Sequence, residues 1–140
     1  CRTLLEAAGS LQVTFHRAFD VCQNQAQALE EIIGLGCHRV LTSGGQASAP
    51  AGQAQLAALV QQAAGRIGIM PGAGVTPATL PVLVHTTGAP EFHASAKRLV
   101  AVSAGTPATE FDAPRWETDA AIVAELVAQL QVTPAATLDR

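Results

Sequence analysis

The stretch Val13–Asp20, VTFHRAFD, decides the fold because an apolar run leads directly into a polar cluster. Val13–Phe15 is built of β-branched and aromatic residues, which favour a buried strand. His16, Arg17 and Asp20 follow at once and concentrate charge where that strand ends. In parallel α/β proteins the carboxyl ends of the strands form the floor of a pocket, so this pattern is typical of that class.

Three further short apolar runs resemble the first and recur about every 25 residues along the chain. Each has the length of a buried strand. The four predicted strands are Gln12–His16, Arg39–Ser43, Ile67–Met70 and Glu91–Ser95.

Helical patterns fill the intervals between these runs, at Asn24–Gly36, Ala51–Gly65 and Thr76–Gly88. Each ends in a glycine suited to a helix C-cap. In the third, Thr76 is the predicted N-cap and Pro77 the first helical residue. Strands and helices that alternate at this spacing predict βαβ units and a parallel sheet, either doubly wound or part of a (β/α)8 barrel.

Beyond these units, Ser103–Trp116 is predicted to be a long loop, and Asp119–Gln131 a final amphipathic helix. Residues 1–131 are then one α/β domain and residues 132–140 a tail. Thr3–Ala8, closed by Gly9, has the pattern of a helix end, so we expect a fragment, or a natural truncation, of a longer protein. Four βα units of a barrel would leave unpaired strand edges, so such a half must pair with a second copy as a possible homo-oligomer, aggregate, or be incomplete.

Composition excludes several function classes. The chain has 140 residues, 49% hydrophobic and 14% charged, with a net charge of −3. That suits a packed core, and without a basic run it argues against a nucleic-acid partner. No apolar stretch is long enough to predict a membrane span. Three cysteines without a C-x-x-C pair fit a reducing cytoplasm better than a disulfide framework.

The predicted catalytic residues lie where the first and fourth strands meet the pocket. Glu91 and His93 share one face of the fourth strand because side chains alternate. Together with His16 they would form an acid–base set, which could also bind a transition metal. Arg17 and Asp20 complete the catalytic candidates, although Asp20 could equally cap the following helix. The alternative for the whole set is a buried polar network that fills the barrel interior.

A second group of residues at the strand ends is predicted to bind a ligand. Small residues allow backbone N–H groups to approach an anion, and a helix that starts at Thr76 would direct its positive end there. A plain tight turn explains the same glycines equally well. The ligand-binding candidates are Thr42, Ser43, Pro71, Gly72, Gly74 and Ser95.

Sulfur ligands are the third candidate feature. Cys22, Cys37 and Met70 are soft donors of the kind that Cu(I) prefers. Cys22 and Cys37 lie at the two ends of one helical segment, too far apart for one local site. As an alternative, a buried cysteine is simply a small apolar residue. Cys22 and Cys37 are nevertheless the metal candidates.

Four motifs in this order and register, VTFHRAFD, RVLTSGG, GRIGIMPGAGV and EFHASA, resemble the CutC family. The resemblance covers about Leu11 to Gln131. It implies a (β/α)8 barrel of roughly twice this length, of which this chain matches the last four βα units. It also implies a cytoplasmic copper-homeostasis protein that binds Cu(I). By the same resemblance, the polar residues at the strand ends correspond to the functional site of the family.

Two functions from different classes remain open, beside a third, structural interpretation as an inactive half-barrel fragment with no ligand. In the first, the chain is a copper-binding protein that depends on its thiols. In the second, it is an enzyme that acts on a small anionic or phosphorylated metabolite and depends on His16, Glu91 and His93. No C-x-x-C motif or methionine-rich run supports the first from the residues themselves.

Overall fold

The computed structural model describes residues 1–100 and 114–132. Its α-helices are α1 (Arg2–Ala8), α2 (Gln25–Leu35), α3 (Gln53–Ala63), α4 (Leu80–Thr87) and α5 (Ala120–Val132). A short 3-10 helix spans Arg17–Val21. The strands are β1 (Thr14–Phe15), β2 (Arg39–Thr42), β3 (Gly68–Pro71), β4 (Lys97–Val100) and β5 (Arg115–Thr118).

The first three strands form a parallel sheet in the order β1-β2-β3. Phe15 is in register with Val40, and Val40 with Ile69. Helix α2 connects β1 to β2, and α3 connects β2 to β3. The parallel α/β architecture predicted from the alternating pattern is therefore confirmed.

The core lies between this sheet and its helices. Val40 and Ile69 alternate with less buried residues along their strands, and both are almost completely inaccessible to solvent. They belong to one apolar cluster with Leu29 of α2 and Leu56 of α3. Burying a side chain of this size stabilises the fold by about 1.5–3 kcal/mol. The other face of β2 carries residues that are only half-buried.

Helix α2 begins and ends where the sequence predicts. The Asn24 side chain accepts a hydrogen bond from the Gln27 backbone N–H at 3.1 Å. Gly36 closes the helix in the left-handed conformation, with φ 86°. Helix α3 ends one residue earlier than expected, because Ala64 takes the left-handed C-cap position with φ 47°.

The predicted start of α4 at Thr76 is wrong. The Thr76 backbone N–H donates to Thr79 Oγ1 at 2.9 Å, and the Thr79 N–H donates back to Thr76 Oγ1 at 3.3 Å. These reciprocal bonds hold a turn, and the helix begins only at Leu80. Its predicted end is confirmed, since Gly88 is the left-handed C-cap.

The predicted fourth strand, Glu91–Ser95, does not form a regular strand. It runs beside β3, and His93 N–H donates to the Pro71 carbonyl at 2.9 Å. In a parallel ladder the preceding bond would run from the N–H of residue 71 to the Glu91 carbonyl. Proline has no N–H to donate, so the ladder stops at a single bond.

A two-stranded antiparallel ribbon, β4–β5, was not predicted. Trp116 lies in β5, so the end of the predicted loop Ser103–Trp116 is a strand, while its residues 103–113 fall outside the described ranges. Helix α5 confirms the predicted last helix, and Asp119 caps it by accepting from Ala121 N–H at 2.8 Å. Val132 is still helical, and the predicted tail from 133 on lies outside the described residues.

Within residues 1–100 and 114–132, no helix is long and apolar enough to cross a membrane.

Candidate functional site

A dense polar cluster forms at the carboxyl ends of β1 and β2. His16 starts the 3-10 helix, and its Nδ1 accepts from the Ala18 backbone N–H at 3.0 Å. This turn places Arg17 and Asp20 side by side, three residues apart, while Phe19 anchors it in the core. The local sequence thus aims both charged side chains at the same strand end.

The Asp20 carboxylate is the centre of this cluster, and only 8% of its side chain is exposed. It accepts hydrogen bonds from Thr42 Oγ1 at 2.5 Å and from the Gly45 backbone N–H at 3.0 Å. The Ser43 N–H donates to the same carboxylate at 3.0 Å, and Arg17 Nε at 2.7 Å. Every one of these donors favours the ionised form.

Burial is the largest single influence on the pKa of Asp20, and it acts to raise it. The hydrogen bonds from Thr42, Arg17, Gly45 and Ser43 together outweigh burial, so the pKa lies below its ordinary value of 3.8. Asp20 is therefore a fixed anion at neutral pH and is unsuited to accept a proton in a reaction.

Arg17 is held in place from two sides. Its Nε bonds to Asp20, and its Nη2 donates to Ser43 Oγ at 2.7 Å. The single Ser43 hydroxyl hydrogen has the Gln46 carbonyl at 2.5 Å and Asp20 at 3.1 Å as possible acceptors, and the shorter contact takes it. Nη1 of Arg17 has no hydrogen-bond partner within the described part of the chain.

A cavity of about 450 Å³ opens beside Arg17. The residues with polar side chains that line it are Arg17, Thr76, His93, Ser95, Lys97 and Trp116. Apolar side chains such as Leu41, Val75 and Ile122 form much of the remaining wall. Among the described residues no Asp or Glu lines the cavity. Its volume falls in the usual range for small-molecule sites, about 300–1,000 Å³.

Lys97 is the cation of this cavity that no carboxylate compensates within the described residues. Its Nζ lies 4.6 Å from the centre of a Trp116 ring. Arg17, in contrast, is neutralised by Asp20. Lys97 therefore supplies the net positive charge, and Arg17 supplies directed N–H groups.

Glu91 does not join the Asp20 cluster. Its carboxylate forms a short hydrogen-bonded ion pair with Arg39 Nε, and both side chains are partly exposed. Arg39 is the first residue of β2, whereas Thr42, next to Asp20, is the last. The structure therefore places Glu91 with a partner from the amino end of the sheet, while His93 reaches the cavity.

The glycines of the Pro71–Gly74 turn have packing reasons of their own. A Cβ on Gly72 would lie 2.6 Å from Leu41 Cδ1, and one on Gly74 would lie 3.2 Å from Ser48 Cβ. Gly74 also has φ +77°. The Thr76 N–H is already bonded to Thr79, so it is not free for an anion. Gly74 borders the cavity, whereas Pro71 and Gly72 are buried next to it.

The cysteines do not form one metal site. Cys22 precedes α2 and its Sγ donates to the Ala18 carbonyl at 3.7 Å, whereas Cys37 is buried beyond the other end of that helix. An eleven-residue helix separates them by about 16 Å. Across residues 1–100 and 114–132, no group of three His, Cys, Asp or Glu residues could hold a metal ion. Within the described residues, Cys22 and Cys37 therefore do not share one site.

Of the residues predicted from the sequence, Arg17, Gly74, His93 and Ser95 line the cavity. Asp20, Thr42 and Ser43 stand behind it in the network that holds Arg17, and His16 caps the 3-10 helix that carries Arg17. Lys97 and Trp116 were missed. The rule that strand ends carry the site could have found Lys97, which directly follows EFHASA, but Trp116 comes from a segment predicted to be a loop.

Comparison with known proteins identifies related chains. The CutC family model matches residues 1–98. A CutC family protein of Xanthomonas axonopodis pv. citri is 50% identical over 133 residues, which cover 93% of this chain and 55% of that protein. A CutC family protein of Xylella fastidiosa (strain Temecula1) is 58% identical over 100 residues, which cover 71% of this chain and 38% of that protein. This chain thus spans about half the length of the curated relatives it matches.

A solved structure agrees with these matches. The crystal structure of the putative copper homeostasis protein CutC from Streptococcus agalactiae superposes with a TM-score of 0.61 at 33% identity. The alignment covers 65% of this chain and 45% of that one.

Proposed function

The chain belongs to the CutC family, and from that premise we propose that it binds a small organic anion, such as a phosphorylated metabolite, in the cavity beside Arg17. The observation that carries this proposal is the combination of Lys97, Arg17 and His93 around a cavity with no acidic side chain in its described lining. The positive side chains of this lining attract an anion, and its described residues include no carboxylate that would repel one.

Arg17 and Lys97 have complementary roles in this proposal. The guanidinium is held by Asp20 and Ser43, so its Nη1 presents N–H groups in a fixed direction. A preorganised donor loses little conformational freedom when a ligand binds. Lys97 adds a mobile positive charge, and the apolar wall supports the rest of the ligand.

His93 is the group in the cavity best suited to proton transfer, because an imidazole can both donate and accept a proton. Of the predicted acid–base set, Glu91 is bound to Arg39, and His16 uses Nδ1 to cap the 3-10 helix. If the proposed ligand is a substrate, we expect His93 to exchange the proton.

The test is a titration of the protein with methyl phosphate, in which binding is measured by calorimetry and by the rise in melting temperature. Lys97→Gln and Arg17→Gln each remove a charge-assisted hydrogen bond and are expected to weaken binding about tenfold. Arg66→Gln is the matched control, because Arg66 pairs with Glu30 and does not line the cavity. Equal affinity in all four proteins, or no binding by the wild type, would refute the proposal.

Cu(I) binding is the second candidate, and the name of the Streptococcus agalactiae relative favours it. The partly exposed thiol of Cys22 is its best single donor here. An anaerobic Cu(I) titration against a competing chelator, with Cys22→Ser and Cys37→Ser beside the wild type, tests it. Tight binding at one equivalent that a thiol variant loses would support copper handling, and binding no tighter than that of an unrelated cysteine protein would exclude it.

We further propose that β1, β2 and β3 are part of a (β/α)8 barrel, in a protein of the cytoplasm. The parallel order of the strands and the position of the cavity at their carboxyl ends support the barrel. The three free cysteines support a reducing compartment.

A further inference from the structure

The β4–β5 ribbon turns one of its faces to the cavity. Lys97 and Trp116 both line the cavity, and both lie on the same ribbon face because side chains alternate along a strand. Leu99 is directly opposite Trp116 in the register and therefore shares that face. The wall of the cavity thus continues onto an aromatic and an aliphatic side chain.

Both of these apolar side chains are unusually open to solvent. Trp116 is 60% exposed and Leu99 is 54% exposed. A large aromatic side chain that stays in water next to a cavity is typical of a binding surface. The Lys97 ammonium lies over the indole at 4.6 Å, which places a cation directly beside the aromatic ring.

From this arrangement we infer that the ligand carries an aromatic ring next to its anionic group, so that the ring lies against Trp116 while the anion contacts Lys97. In an aryl phosphate or aryl carboxylate the two groups are joined directly. Such a ligand matches the cavity, because the Lys97 cation lies 4.6 Å from the centre of the Trp116 indole. The inference rests on the proposed anion site and specifies its ligand class.

Arg17 adds a second point of attachment in the same cavity. Its unpartnered Nη1 is directed by the bonds of Nε and Nη2 to Asp20 and Ser43. An anion with several oxygens can accept from Arg17 and Lys97 together. The ring then packs against the apolar part of the lining, which includes Trp116 and Ile122.

The experiment compares methyl, cyclohexyl and phenyl phosphate on the same protein. Methyl phosphate measures the anion alone, cyclohexyl phosphate adds apolar bulk, and phenyl phosphate adds an aromatic face. We expect phenyl phosphate to bind on the order of fivefold more tightly than cyclohexyl phosphate, from ring stacking. Trp116 is the one tryptophan in the sequence, so its fluorescence reports directly on a ring bound against it.

Two variants separate a stacking role from a structural one. Trp116→Leu should abolish the preference for phenyl over cyclohexyl phosphate, measured as the ratio of the two affinities within the variant. Trp116→Phe should retain the preference, since it keeps an aromatic face. Leu4→Ala, an exposed apolar residue that does not line the cavity, is the control.

The outcomes distinguish this inference from the proposed function. If methyl phosphate binds and the phenyl and cyclohexyl esters bind equally, the anion site stands and the aromatic ligand class is overturned. A preference that survives in Trp116→Leu overturns it as well. If none of the three esters binds, both the anion site and the inference fail.

Discussion

Replacement of Asp20 by asparagine is the sharpest test of the network behind the cavity. The change keeps the size of the side chain and one acceptor oxygen but removes the charge. Thr42 Oγ1, the Ser43 N–H and the Gly45 N–H would then donate to a neutral amide oxygen, and Arg17 Nε would face an NH₂ group or a neutral oxygen.

The expected cost follows from the bonds that are weakened. Hydrogen bonds to a charged group contribute about 1.5–3 kcal/mol each, and neutral ones about 1 kcal/mol, with strong non-additivity within one network. Asp20→Asn should therefore lower the free energy of unfolding by about 2 kcal/mol. Asp20→Ala leaves the four donors of the network without their acceptor and should cost about 4 kcal/mol.

The effect should depend on pH with a definite sign. The pKa of Asp20 in the folded chain lies below its ordinary value of 3.8. Between these two values the unfolded chain binds more protons, so the stability contributed by Asp20 is complete above pH 4 or so and falls as pH drops through the folded pKa. The difference between wild type and Asp20→Asn should shrink accordingly in acid.

Urea unfolding followed by circular dichroism, from pH 7 down to pH 3, measures both quantities. Glu31→Gln is the control, because Glu31 is exposed and, among the described residues, accepts from Gln27 alone. It should change stability by less than about 0.5 kcal/mol. A similarly small effect of Asp20→Asn at pH 7, or a difference that stays constant into acid, would refute the argument that this carboxylate organises the site.

Further predictions concern backbone packing and thiol chemistry. Gly52→Ala should destabilise the fold severely, since the new Cβ would lie 1.9 Å from the Ser43 carbonyl oxygen, and thermal unfolding of the variant checks this. Gly34→Ala should instead stabilise by about 0.5–1 kcal/mol, because its Cβ would meet no described atom outside the neighbouring helix backbone within 4 Å, and equal melting temperatures for the two variants would contradict both expectations. Burial raises the pKa of the Cys37 thiol, so Cys37 should react with a thiol reagent at pH 8 much more slowly than exposed Cys1; peptide mapping after brief labelling measures the order, and a Cys37 labelled first would show that its burial is wrong.

Part of this site was predictable because, in parallel α/β folds, functional side chains lie at the carboxyl ends of the strands. In the first unit, β-branched and aromatic residues form the strand, and the polar residues that follow must lie at its carboxyl end. That reasoning reached Arg17 and His93 without a structure. It also reached Asp20, for which capping and chemistry were equal alternatives. The structure gives Asp20 the role of holding Arg17 and the β2 loop.

Other features depend on partners far away in the chain. Glu91 was expected to face His16, yet it pairs with Arg39, 52 residues away. Sequence periodicity states which face a residue occupies but not which charge it meets there. Lys97 and Trp116 become one pair only because β4 and β5 associate antiparallel.

The sequence by itself determined the alternation of strands and helices, because hydrophobic periodicity and glycine C-caps act over a few residues. It also determined which ends of the strands carry polar groups. The tertiary structure decided where the regular ladder stops, since the missing N–H of Pro71 matters only beside Glu91. It decided the cavity as well, because ion pairs and ring contacts form between segments whose approach depends on the packing of the whole core.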